Sequence, residues 1–316
     1  MRSVVVLLAL LRTGTLAAQT DSLLLNDPRV LRISKLEEKG RHEAACKAYD
    51  ELAADTAMRA LTLRLKADCL GMHQGKPVEA LASYDASIAW HPHDPAGFNE
   101  RGLYYMELNM PSKAVADLRR TVELSSDTAE RVKAMANLAS AHAHMRQWKE
   151  ALIVLDEARA LDSTNIGVLV NRSLALDELG RTQEGLTELM KAYELEPRNS
   201  SVLNNLGYHH TRLNEHKASV RWYREALEAE PNSPYAMNNL GYAELRAGNS
   251  DAALALVQRS IQLDPSNSYA FRNLGHVWKE KGDLTKACEA YERALDLGFT
   301  MRYGPEVKQM KDTYCR

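Results

Sequence analysis

A sequence repeated at a fixed interval constrains the fold of this chain more than any other feature. Asn-Asn-Leu-Gly-Tyr begins at Asn204 and again at Asn238, and the related Arg-Asn-Leu-Gly-His begins at Arg272, each 34 residues after the last. A period of this length is typical of solenoids, in which each short unit buries its apolar face against its neighbours. The chain is therefore expected to fold as a row of repeated units.

Each unit carries the same pattern of small and apolar residues. Numbered from the start of the unit, position 20 is small and position 24 is apolar or aromatic in all eight units. Small side chains let two helices approach closely, and the larger side chains fill the space between them. Together with the Leu-Gly pair and a proline near the end of several units, this pattern resembles the tetratricopeptide-repeat family. The resemblance implies an all-α, right-handed solenoid of helix-turn-helix repeats, forming one elongated domain.

The pattern places the repeats in residues 26–301. Position 15 is Gly or Asn in seven units, and these residue types tolerate the left-handed conformation that ends a helix, whereas Arg146 departs from the rule. Residues 302–316 are predicted to form a capping helix that resembles the start of a truncated ninth unit. The predicted units are 26–59, 61–94, 95–128, 132–165, 166–199, 200–233, 234–267 and 268–301.

The N-terminus has the order of a secretory signal peptide. Arg2 precedes an apolar run from Val4 to Leu11, and small residues follow at Ala17 and Ala18. Residues 1–18 are therefore predicted to be a cleaved signal peptide and 19–25 a flexible lead, so that the protein is periplasmic or secreted. The run is too short to span a bilayer. The alternative is an uncleaved amphipathic helix that caps the solenoid.

Four cysteines are compatible with export. Cys46 and Cys69 fall on adjacent helices near one end of the repeats, and Cys288 and Cys315 near the other end. An oxidising compartment would permit two disulfide bonds that hold the terminal repeats, which lack an outer neighbour. Four cysteines allow three pairings, however, and four buried thiols are the alternative.

Composition and motifs exclude several classes of function. A formal net charge of −2 over 316 residues gives no general attraction to nucleic acid or anionic membranes. Phosphate-binding glycine loops, nucleophile elbows and metalloprotease helices are missing from the sequence. We therefore expect no enzymatic activity, cofactor, metal or small-molecule substrate, and a protein or peptide as the partner.

One polar position recurs on the predicted groove face. Asparagine is a mediocre helix residue, yet it occupies position 6 of five consecutive units. This row resembles the asparagine ladder in the superhelical repeats of O-linked N-acetylglucosamine transferase, whose amides hold the backbone of an extended peptide; the catalytic domain of that enzyme has no counterpart here. If the amides line an open groove, replacing them with Ala is expected to leave stability unchanged or slightly higher. The row is Asn137, Asn171, Asn205, Asn239 and Asn273.

Further side chains on the same helical face are candidates for contact with the peptide. Positions 2 and 9 carry aromatic residues that combine an apolar ring with a polar tip, and position 13 carries arginines that suit acidic groups. The candidates are Tyr208, Tyr242 and His276 at position 9, Tyr235 and Tyr269 at position 2, and Arg212 and Arg246 at position 13.

Two alternatives stay open. The asparagines could brace neighbouring helices while the tyrosines cover adjacent repeats. The protein could also be a structural assembly factor of an envelope complex, with a folded partner docked on the convex face or the solenoid ends.

Overall fold

The structure is a computed structural model that describes residues 25–315, apart from the side chains of residues 301 and 302. The signal peptide predicted for residues 1–18 and nearly all of the lead predicted for 19–25 lie outside the described residues.

Within the described part of the chain the regular structure is helical, and no strand is present. Asp, Asn and Ser residues cap many of the helices through side-chain oxygens, as at Asp127, Asn165 and Ser233. The helices are α1 (Pro28–Glu38), α2 (His42–Leu52), α3 (Arg59–Asp68), α4 (Pro77–Trp90), α5 (Pro95–Glu107), α6 (Pro111–Leu124), α7 (Thr128–His144), α8 (Trp148–Leu161), α9 (Ile166–Glu178), α10 (Thr182–Leu195), α11 (Ser200–Arg212), α12 (His216–Ala229), α13 (Pro234–Arg246), α14 (Ser250–Leu263), α15 (Ser268–Glu280), α16 (Leu284–Asp296), α17 (Phe299–Tyr303) and α18 (Glu306–Tyr314).

Helices α1 to α16 form eight consecutive hairpins, one for each predicted repeat. The odd-numbered member is the first helix of its repeat and the even-numbered member the second. A π-helical turn, Cys69–His73, extends α3. The chain divides into two compact units: α1–α8 belong to the unit that ends at Ser163, and α9–α18 to the unit that begins at Thr164.

The core positions expected from the repeat pattern are buried. Position 24 is at most 2% exposed in every repeat, as at Tyr223 and Tyr291. The glycine at position 8 makes room for this side chain, because a Cβ atom on Gly207 would lie only 2.7 Å from the ring of Tyr223. The glycine of the Leu-Gly pair therefore allows the two helices of one repeat to pack closely.

The predicted helix ends at position 15 are confirmed. Gly180 and Gly248 adopt positive φ angles of 80° and 91°, and Asn109 and Asn214 reach 55° and 60°. Arg146, which departs from the Gly/Asn rule, adopts the same left-handed conformation, with φ at 58°. The backbone geometry of the turn is thus kept in that repeat at some steric cost.

Both cysteine pairs near the two ends of the repeats are joined. Cys46 in α2 is bonded to Cys69 at the start of the π-helical turn, and Cys288 in α16 is bonded to Cys315, just after α18. No free cysteine remains in residues 25–315. Of the three possible pairings, the structure has the one that links neighbouring helices.

Helix α18 covers the last repeat. Val307 on α18 is fully buried and packs with Phe299 and with Tyr291 and Ala294 of α16. Its first residue, Glu306, follows Arg272 of α15 by 34 residues and is ion-paired with it. Helix α18 therefore occupies the place of a first helix in a ninth repeat, as the sequence predicts, although it begins later than residue 302.

Within residues 25–315, none of the helices combines the length and the apolar character that crossing a membrane would require.

Candidate functional site

The five asparagines at position 6 lie inside the stack of helices. Asn137, Asn171 and Asn205 are each 1% exposed, Asn239 is 8% exposed and Asn273 is fully buried. The expectation that these amides line an open groove with water beside them is wrong. The adjacent first helices approach closely enough to cover this position.

Three of these amides brace the first helices of successive repeats. In each case the asparagine at position 6 donates a hydrogen bond to the asparagine at position 5 of the preceding repeat. The pairs are Asn137 to Asn99 (3.1 Å), Asn239 to Asn204 (3.1 Å) and Asn273 to Asn238 (2.9 Å).

The residue at position 5 of the preceding repeat decides whether this bond forms. Before Asn205 that residue is Val170, and the Asn205 amide turns back to the carbonyl oxygen of Ser201 in its own helix, at 2.8 Å. The sequence therefore contains a pattern that predicts these bonds between first helices. The pattern is an asparagine at position 5 of one repeat and an asparagine at position 6 of the next.

Two of the predicted aromatic contacts are also buried. Tyr208 is 1% exposed, and its hydroxyl accepts a hydrogen bond from Arg212 at 3.2 Å. Tyr269 is 5% exposed and packs its ring against Phe299 and Tyr303. Burial raises the pKa of Tyr208 well above its usual value and that of Tyr269 to about 12. As contacts for an external peptide, both predictions are wrong, because neighbouring helices already cover these rings.

Three predicted residues are brought together around one cavity. Tyr242 and Arg246 from α13 and His276 from α15 line a cavity of about 560 Å³. Lys279 and Glu280 of α15 and Met310 of α18 complete its rim. Tyr235 is 36% exposed but lies at the other end of α13 and does not line this cavity.

A buried ion pair that the sequence analysis missed forms the floor of this cavity. Arg272 donates to Glu306 at 2.7 Å and to the side-chain oxygen of Asn273 at 2.7 Å. Its guanidinium also lies 5.0 Å from the ring centre of Tyr242 and 5.1 Å from that of Tyr269. The only sequence signal was the change from Asn to Arg at position 5 of the last repeat, with Glu one period later.

The electrostatics of the floor are set by these contacts. Burial alone would raise the pKa of Glu306, but the adjacent His276 and the charge and hydrogen bond of Arg272 lower it to about 2. Burial lowers the pKa of His276, and the Arg272 charge adds to this effect. The floor is therefore a carboxylate and a guanidinium beside an imidazole that is neutral at neutral pH.

Tyr291 fixes the orientation of this imidazole. Its hydroxyl lies 3.2 Å from Nδ1 of His276, while Nε2 faces Glu306 at 3.4 Å. A hydroxyl that donates to Nδ1 leaves the proton on Nε2, where it points to the carboxylate. Nε of Arg272, Nε2 of His276 and Oε2 of Glu306 are nevertheless buried without a hydrogen-bond partner among the described residues. The rim side chains are the ones available for non-covalent recognition.

A second cavity, of about 590 Å³, lies beside the turn between α11 and α12. Residues 214–218 line it together with Arg246 and Ala247. Arg246 thus contributes to both cavities. Arg212, the other predicted arginine, lines neither, because it forms ion pairs with Asp177 (3.4 Å) and Glu178 (3.3 Å).

Comparison with solved structures shows the same type of fold in other proteins. A tetratricopeptide repeat protein from Parabacteroides merdae is 13% identical, with a TM-score of 0.66 over 81% of this chain and 99% of that chain. The Cut9–Hcn1 hetero-tetramer of the APC/C is 15% identical (TM-score 0.61; 88% of this chain, 55% of that chain). Human IFIT1, crystallised as a dimer with PPP-AAAA, is 17% identical (TM-score 0.60; 88% and 70%). At these identities the likeness concerns the fold alone.

A comparison with the curated proteins finds no match. The family profile described as tetratricopeptide repeat, in contrast, matches three stretches that together cover more than half of the chain. They are residues 99–166, 170–234 and 238–298. With its helical hairpins and their buried repeat positions, the chain belongs to the tetratricopeptide-repeat family, whose members are generally protein-interaction scaffolds.

Proposed function

We propose that this protein is an exported, non-enzymatic scaffold that binds an extended polypeptide segment on the first-helix face of its C-terminal unit. The observation that carries the proposal is the cavity where Tyr242, Arg246 and His276 converge. It combines a partly exposed aromatic ring with charged groups at its rim, the combination that anchors polypeptides at interfaces.

The asparagines contribute to binding through the shape of this face and not by contact. Asn239 and Asn273 hold α11, α13 and α15 at a fixed separation through their bonds to the preceding repeats. Rigid first helices keep the rim side chains in place before a partner arrives, which lowers the entropic cost of binding.

The typical free-energy contributions of such contacts predict a moderate affinity. A hydrogen bond to a charged group contributes about 1.5 to 3 kcal/mol net, and an aromatic anchor about 2 kcal/mol or more. Two such charged contacts and one aromatic anchor sum to about 5 to 8 kcal/mol, which corresponds to dissociation constants from about 200 μM down to about 1 μM. A transient scaffold fits this range.

Export is supported by the cysteines. All four are paired in the structure, and paired cysteines persist in oxidising compartments. The apolar N-terminal run described above supplies the segment that would direct the chain there.

The alternative function, docking of a folded partner on the other face, has one observation in its favour. Second helices of the C-terminal unit expose large apolar side chains, with Met190 37% exposed and Leu195 48% exposed on α10. Isolated exposed apolar residues are common on protein surfaces, however.

Site-specific photo-cross-linking separates the two faces. We expect a benzophenone side chain at Tyr242 to capture a polypeptide in the native compartment, with the cross-linked residues confined to one short contiguous segment of the partner. The matched control is the same probe at Met190 on α10. Capture of a folded partner at Met190 with none at Tyr242 would support the assembly-factor alternative and contradict the proposal.

A further inference from the structure

Two arginines at the same repeat position have different surroundings. Arg212 and Arg246 both occupy position 13, one repeat apart, in the last turn of α11 and α13. Arg212 is held by Asp177 and Glu178 of the preceding repeat and lies over the ring of Tyr208. Arg246 forms no ion pair with any residue between 25 and 315.

The sequence explains the difference. The acids that hold Arg212 stand at positions 12 and 13 of the repeat before it. One repeat later those two positions are Thr211 and Arg212, so Arg246 meets no carboxylate there. Position 13, which is Glu178 in the repeat before Arg212, is therefore a cation, Arg212 itself, in the repeat before Arg246.

Other cations flank Arg246 on both sides. Lys279 lies across the first cavity, and Lys217 lines the second. Lys217 is exposed and, like Arg246, has no ion-pair partner among the described residues. Three acids also line these cavities: Glu306 is paired with Arg272, Glu215 is hydrogen-bonded to His210, and Glu280 lies 4.0 Å from Lys279. None of the three is ion-paired with Arg246.

The charge of Arg246 also affects a neighbouring histidine. Burial lowers the pKa of His216, which lines the second cavity, and the positive charge of Arg246 lowers it further. The positive potential of Arg246 therefore extends into the second cavity as well as the first.

A helix-terminal cation has an ordinary role that must be separated from binding. Positive side chains in the last turn stabilise a helix by interaction with its dipole. That effect is small at an exposed site, and it applies to Arg212 and Arg246 alike. The interaction with the helix dipole does not explain why Arg246 lies between two cavities.

We propose that Arg246, flanked by Lys217 and Lys279, binds the carboxylate of an Asp or Glu side chain in the extended polypeptide. This inference rests on the proposed function and names the chemistry of its partner, an acidic segment. A guanidinium can pair with a carboxylate through two parallel hydrogen bonds, and flanking lysines would attract further acids at long range.

Fluorescence anisotropy with two short synthetic peptides tests the inference. One alternates Glu with Ala, and the other has Gln in place of every Glu. We expect the Glu peptide to bind more tightly, the preference to weaken as salt is raised, and Arg246→Ala to weaken Glu-peptide binding about tenfold or more. Arg246→Lys should retain part of the affinity, and the control Arg221→Ala, an exposed cation on α12, should retain all of it.

The outcomes separate this inference from the proposed function. Equal binding of both peptides, unchanged in Arg246→Ala, would overturn the acid site and leave the scaffold proposal in place. Absence of binding by either peptide would also overturn the acid site. The proposed function would fail as well only if the cross-linking probe at Tyr242 also captured no polypeptide. A melting temperature for each variant shows that the folded protein is compared throughout.

Discussion

Replacing Glu306 with Ala is expected to lower the free energy of unfolding of the C-terminal unit by about 3 kcal/mol. The reason is that Arg272, only 7% exposed, would keep its charge in the interior without its carboxylate. Removing one partner of a buried ion pair costs about 3 to 5 kcal/mol, and the partial exposure of Glu306 places this pair near the lower end. Urea denaturation followed by tryptophan fluorescence, to which Trp278 of the same repeat contributes, measures the change.

The matched control is Lys311→Ala on the same helix. Lys311 pairs with Glu292 on the exposed surface, where such pairs contribute little. If Glu306→Ala unfolded at the same urea concentration as Lys311→Ala, the floor would not be the structural link between α18 and the last repeat.

The same carboxylate gives a pH dependence. Its pKa is about 2 in the folded protein against an ordinary value of 4.5, so its contribution is fully present above pH 4.5 and is lost as the pH falls towards 2. His276 adds an acid-sensitive contribution at higher pH, since its lowered pKa disfavours protonation in the folded state. Comparison of Glu306→Ala with the wild type isolates the carboxylate: the difference between their stabilities should shrink below pH 4.5.

Loss of the Cys288–Cys315 bond is expected to destabilise the C-terminal unit by about 3.5 kcal/mol in the chain-entropy account, because the bond closes a loop with a sequence separation of 27. The last repeat has only α18 as an outer neighbour. Fraying should therefore begin there, and amide hydrogen exchange should accelerate first in Glu306–Tyr314 and then in α16. The double variant Cys288→Ser/Cys315→Ser, measured by hydrogen exchange, tests both the size and the place of the effect.

The second disulfide provides the control. Cys46→Ser/Cys69→Ser should accelerate exchange in α2 and α3 and leave α18 protected, since these cysteines belong to the other unit. Unchanged protection of α18 after loss of Cys288–Cys315 would show that apolar packing around Val307 alone holds the cap.

Much of the fold could be predicted because its determinants repeat. Each of the eight repeats places a small residue at position 20 and a larger one at position 24, and this regularity, together with the Gly or Asn at position 15 of seven repeats, predicts the hairpins. Arg146 shows the limit of residue-type rules, because it adopts the left-handed turn conformation although arginine does not favour it.

The candidate site could be predicted only in part, because exposure depends on the neighbouring repeats. Tyr208 and Tyr242 share position 9, yet Tyr208 is buried whereas Tyr242 remains partly exposed beside a cavity. The asparagines were misread for a related reason. A helix propensity scale shows that Asn273 is unfavourable where it stands, but not that its amide is paired with Asn238 one repeat earlier.

The dissociation constant of the polypeptide captured at Tyr242, measured for Tyr242→Ala and Asn273→Ala beside their melting temperatures, tests the central claim most directly. We predict that Tyr242→Ala weakens binding about tenfold or more with a small change in melting temperature. Asn273→Ala should lower the melting temperature, since it leaves buried groups of Arg272 and Asn238 without a partner at a cost of about 1 to 3 kcal/mol. Its folded fraction should lose less affinity than Tyr242→Ala does, because it loses only the rigidity of the face and no contact with the partner. An Asn273→Ala variant with an unchanged melting temperature and weakened binding would contradict the account, because the amide would then contact the partner and not brace the repeats.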